Sequence, residues 1–145
     1  MVLAACGGDE PATTPTPLED TFVARANDIC AETESATDML GDQIESAGLH
    51  SPESVRYLKA AAAAERSGLD QLRRLTPPSS GDPARYEEFL RSYEENVVKL
   101  EQLAALIKSG AVDDARSLEE DINTSIDDVS NPLAAELGID DCASG

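Results

Sequence analysis

Three cysteines and a single histidine are the residues of this 145-residue chain best suited to covalent or metal chemistry. Cys6 closes the run Leu3-Ala4-Ala5-Cys6 and is followed by Gly7-Gly8. An aliphatic residue, two small residues and Cys form the lipobox of a bacterial lipoprotein signal. The small side chains let a membrane peptidase grip an extended backbone. The thiol is alkylated by diacylglycerol before cleavage, and the freed amine of the Cys becomes the new N-terminus. Two acyl chains then hold the protein on the membrane, where one would hold it only weakly. Cys6 is therefore the expected lipidation site. Five residues are too few for the charged and apolar regions that precede such a box. Residues 1–5 read as the remnant of a signal peptide, expected from a start site placed too late or from a trimmed chain.

With Cys6 assigned to lipid, Cys30 and Cys142 remain. In an exported domain two such cysteines usually pair. The alternative is two buried free thiols in a reducing compartment. Pairing would close a loop of over 100 residues, worth about 4–5 kcal/mol in the chain-entropy description.

The other routes to chemistry are narrow. His50 is the one histidine and stands in a loop before Ser51. A di-iron bundle needs inward Glu-x-x-His pairs, and a structural zinc needs three or four His and Cys ligands; neither set is present. A Ser-His-Asp triad would have to use His50, and there is no G-x-S-x-G elbow or Gly-rich phosphate loop. Acids are abundant as neighbours, among them Asp113-Asp114, Glu119-Glu120-Asp121 and Asp127-Asp128. Asp114, Glu120, Asp121 and Asp127 or Asp128 would line one negative side of a last helix. That side could collect Ca²⁺ weakly, but no twelve-residue EF-hand loop exists, and a solvated face is the simpler reading. Asn123-Thr124-Ser125 matches a glycosylation sequon without consequence in a bacterium. No catalytic residue, metal site or cofactor is expected.

The elements that must position the cysteines are helical. From Thr21, apolar or small residues recur at Phe22, Ala26, Ile29, Thr33, Ala36, Leu40 and Ile44, one face of a helix that ends at Gly48. Ser51-Pro52 opens a second helix with an N-cap and a proline at the first helical position. Its stripe is Val55, Leu58, Ala62, Leu69 and Leu72, and Pro77-Pro78 stops it. Asp82-Pro83 repeats the opening signal. The third stripe is Tyr86, Leu90, Tyr93, Val97, Leu100, Ala104 and Ile107, alternating steps of four and three as in a bundle seam. The fourth is Ala115, Leu118, Ile122, Ile126, Val129, Leu133 and Leu137. It runs through Asn131-Pro132, which predicts one helix kinked near Pro132 where the bond to the Asp128 carbonyl is lost. Gly138-Ile139 reads as a left-handed C-cap with an apolar contact. No period-two pattern persists. The expected fold is all-α: an up-down-up-down four-helix bundle over 19–145, behind a disordered Gly/Pro/Thr-rich tether at 6–18. Such a bundle puts the Cys30 and Cys142 regions at one end.

Charge bounds the partners. Eleven basic residues against 29 acidic ones leave a net −18, which repels phosphate backbones and disfavours nucleic acid. No run of 18 apolar residues is present, so no membrane-spanning helix is expected.

"LAACGGD", "FVARANDIC", "LRRLTPP" and "LGIDDC" together resemble the small exported lipoproteins common in actinobacteria. The resemblance touches most of the chain. It implies a helical extracytoplasmic domain with paired cysteines and no established activity. The resulting expectation is a non-enzymatic binding or scaffolding module of the cell envelope, held to the membrane at Cys6, with an envelope protein or small ligand as partner. The alternative is a small-molecule or divalent-cation binder using the acidic surface or the bundle interior, with Tyr86 and Tyr93 at the pocket wall.

Overall fold

A computed structural model describes residues 19–143. The signal remnant at 1–5, the tether at 6–18 and Cys6 lie outside the described residues. Helix α1 spans Asp20–Ala47, α2 Val55–Arg74, α3 Pro83–Ser109 and α4 Val112–Ser125. A π-helical turn at Ile126–Ser130 joins α4 to α5 (Asn131–Leu137), so these three segments together make the fourth rod of the bundle. A 3₁₀ turn at Asp140–Cys142 comes next. The fold is the expected up-down-up-down four-helix bundle, with helices packed in sequence order: α1 on α2, α2 on α3, α3 on α4.

Local signals act as elementary chemistry dictates. Asp82 Oδ1 accepts the Arg85 N–H at 3.0 Å, with Pro83 at the first helical position. Gly110 (φ +79°) ends α3, and the Ala111 N–H reaches back to the Leu106 carbonyl. Gly138 (φ +75°) does the same for α5, with the Ile139 N–H on the Ala134 carbonyl and the Ile139 side chain fully buried. Both are Schellman closures, which need a residue that tolerates positive φ. The second helix begins later than its Ser51 cap: Ser51 opens a separate turn, its Oγ accepting the Ser54 N–H at 3.3 Å, and α2 proper starts at Val55.

The core has two parts. One gathers Phe22, Ala26, Cys30, Leu69, Leu72, Tyr86, Phe89, Leu90, Leu133 and Ile139 around the cysteine end. The other gathers Leu58, Leu103, Ala104, Ile107, Ala115 and Ile122 at the far end. Tyr86 is buried in the first and donates its hydroxyl to the Leu72 carbonyl at 2.9 Å, a second donor beside the Leu75 N–H in the last turn of α2.

The α1–α2 contact is close because Gly68 faces Thr33. A Cβ at Gly68 would stand 2.3 Å from Thr33 Oγ1 and 3.2 Å from its Cγ2. Helix propensity alone favours Ala over Gly by about 0.5–1 kcal/mol. Gly68→Ala is nevertheless expected to lower stability by about 1–3 kcal/mol in chemical denaturation, through overpacking. Adding Thr33→Ala should restore most of the loss. A Gly68→Ala protein more stable than the parent would contradict this packing.

Candidate functional site: an open seam between the first and last helices

In a closed four-helix bundle the first helix packs along the fourth. Among the described residues, α1 and α4 do not pack along their lengths. The buried positions of α1 are Phe22, Ala26, Cys30 and Thr33, all in its first half. Beyond Thr33 the apolar stripe continues through Ala36, Leu40 and Ile44, yet these side chains are only half-buried. The 3₁₀ turn packs on α1 at the other end, bringing Cys30 and Cys142 to disulfide distance with Cα atoms 5.1 Å apart. The fourth rod is thus clasped to α1 at one end and stands away from it along the rest.

The gap is a cleft of about 480 Å³, within the roughly 300–1,000 Å³ of small-molecule pockets. Its apolar lining comes from Phe89, Val97 and Leu100 of α3 and Ile122 and Ile126 opposite. Thr37 and Gly41 of α1 form one lip. Acids stand around it: Glu34, Asp38 and Asp42, spaced by four along α1, with Asp141 from the 3₁₀ turn and Glu65 from α2. No Lys, Arg or His is among the described lining residues.

Three polar features of the wall were invisible to the apolar stripes. Glu65 accepts a hydrogen bond from the Tyr93 hydroxyl. Burial pushes the Glu65 carboxyl above its ordinary range, and the Tyr93 bond opposes that only in part. Tyr93 is itself pushed up, by burial first and then by the Glu65 charge. Asn96 is 8% exposed. Its Nδ2 donates to Ser130 Oγ at 2.9 Å, and Ser92 Oγ lies 2.6 Å from the same hydroxyl. The Asn96 Oδ1 is buried without a partner.

Ser130 is there because of Pro132. Proline supplies no N–H to the Asp128 carbonyl and crowds it. The backbone answers with a wider turn, in which the Asn131 N–H reaches the Ile126 carbonyl, five residues back. The sequence predicted a kinked α-helix; the observed element is a π-helical turn. One extra residue in the turn rotates the residues beyond it about the helix axis. Val129, expected on the buried stripe, is 44% exposed, and Ser130 is buried in its place. Such turns are frequent at functional sites.

Other predicted residues fall elsewhere. Tyr93 lines the cleft, but Tyr86 does not: its hydroxyl is held by the α2 carbonyl and its ring packs edge-on to Phe22, centroids 4.9 Å apart. His50 lies on the α1–α2 loop with Nε2 3.2 Å from a Glu119 carboxylate oxygen. Asp114, Glu120, Asp121, Asp127 and Asp128 of the last rod are exposed, and Asp121 pairs with Lys99 at 2.8 Å. Among the described residues no group of three His, Cys, Asp or Glu side chains is placed to hold a metal ion. The Ser130 hydroxyl meets a hydroxyl and an amide, neither of which is a base that could activate it as a nucleophile.

The chain matches no protein-family model, no curated protein and no solved structure.

Glu65 sets a pH dependence. Its folded pKa lies above its unfolded value, ordinarily 4.5. The stability this confers is present below the unfolded pKa and is lost as pH rises through the folded one. Glu65→Gln is expected to raise Tm by a few degrees at pH 7 and by less than about one degree at pH 4. Thermal scans at the two pH values check this; a uniform shift, or a loss at pH 7, would contradict a carboxyl strained by burial.

Proposed function

We propose that this chain is the folded head of a lipid-anchored extracytoplasmic protein, a non-enzymatic binding module of the cell envelope that takes a small ligand in the open seam. Lipid on Cys6 moors it, and residues 6–18 serve as the tether. The observation that carries the binding reading is the cleft between the two core clusters, lined by apolar side chains, the half-buried Glu65 and Asn96, whose buried Oδ1 has no partner. That observation favours a ligand inside the bundle over a purely scaffolding role.

The cellular setting is supported by two independent features. Leu3-Ala4-Ala5-Cys6 has the residue types that lipoprotein processing requires. Cys30 and Cys142 stand at disulfide distance, an arrangement retained chiefly in oxidising compartments. The resemblance to small exported actinobacterial lipoproteins points the same way. No helix of the described residues is long and apolar enough to cross a membrane, and attachment in this reading rests on the acyl chains. The net charge of −18 disfavours nucleic acid as a partner.

The test is expression of the chain behind a complete lipoprotein signal peptide in a bacterial host, followed by fractionation and intact-mass analysis. Membrane-fraction protein carrying diacylglycerol at Cys6 is the expected result, and Cys6→Ser should release the protein from that fraction. Unlipidated protein confined to the cytosol would overturn the proposal.

A further inference from the structure

The chemistry of the cleft specifies its occupant more narrowly. Resting on the binding reading above, we propose that the seam takes an organic cation with an apolar body, an alkyl or aryl amine, its ammonium seated against Glu65 and Asn96.

Two of the lining residues, Glu65 and Asn96, carry acceptors that a cationic donor would suit. Glu65 presents a carboxylate whose hydrogen bond comes from Tyr93. Asn96, a second lining residue and only 8% exposed, has its Oδ1 buried behind the wall without a donor. The two belong to one subsite, because Tyr93 and Asn96 are three residues apart on α3 and so are neighbours on the helix face. An ammonium supplies three donors and no acceptor, which is what this pair lacks. Asp38 and Asp42 on the lip add negative field, and the described lining carries no cation to neutralise it. A carboxylate or phosphate ligand would meet the repulsion of these acids, whereas a cation is drawn in. The apolar remainder of the ligand would lie over Phe89, Val97, Leu100 and Ile126. A bare metal ion leaves that surface uncovered and finds no three-ligand cluster among the described residues.

Octylamine, 1-octanol and octanoate share one tail and differ in head charge. Isothermal titration of each into the protein at pH 7 separates the claims. Octylamine should bind once per chain, with octanol at least about tenfold weaker and octanoate not detectable. Glu65→Gln should weaken octylamine about tenfold and leave octanol unchanged. Thr37→Trp, or Ile126→Trp from the opposite wall, should abolish binding while circular dichroism stays helical. Octanol binding as tightly as octylamine would overturn the cation assignment and leave the cleft as a binding site. Failure of all three probes, or octylamine binding undiminished in both Trp variants, would overturn the cleft reading itself.

Discussion

The structure depends on a bundle that is tied at one end and left unzipped along one seam. Cys30 sits on the buried face of α1, one turn above Ala26 and one below Thr33, and the turn at Asp140–Cys142 folds back to meet it. Without that meeting, the fourth rod would be held to the domain chiefly by its packing on α3. A disulfide there closes a loop between residues 112 apart in sequence, worth about 4–5 kcal/mol if chain entropy is the whole effect. That is a large share of the roughly 5–15 kcal/mol by which domains are stable. Such a clasp lets the seam stay open without the last helix detaching.

A single proline links the local backbone to the chemistry of the seam. Pro132 removes one donor, the helix widens into a π-turn, and Ser130 rotates inward. Its hydroxyl then organises Ser92 and Asn96, and the Asn96 Oδ1 is left buried without a donor. A buried acceptor with no donor costs about 1–3 kcal/mol. A buried carboxylate beside it adds to the cost. Natural proteins carry such strain at sites of function more often than in inert cores, and here both strained groups border the same cavity. The rest of the surface is ordinary by comparison. Arg66–Glu101, Arg73–Glu94 and Arg85–Glu136 are exposed pairs between helices, of a kind worth little individually.

Much of this was legible in the residues. The four stripes, the stop at Gly138-Ile139, the cap at Asp82-Pro83 and the meeting of Cys30 with Cys142 arise from periodicity, capping chemistry and topology. The cleft was not legible, for two reasons. The α1 stripe keeps its period to Ile44 whether or not a partner helix covers it, because periodicity reports a face and not its neighbour. The polar wall sits in the gaps of the stripes. Leu58, Ala62, Leu69 and Leu72 step by four, seven and three, and Glu65 fills the missing rung. Asn96 lies one position off the third stripe, beside Val97, on the face where Phe89, Tyr93 and Leu100 line the cleft. A charged or amide residue on an otherwise apolar seam was the available signal. The exposure of Val129 lay beyond reach, since a proline in a helix predicts a lost bond but not whether the backbone kinks or widens.

The clasp is the feature on which the open seam and the proposed extracytoplasmic setting both rest. Its most direct measurement is non-reducing peptide mapping, by mass spectrometry, of protein recovered from the cell envelope after alkylation of free thiols. A cross-linked peptide pair containing Cys30 and Cys142 is the predicted result. Recovery of both cysteines as alkylated monomers would contradict it.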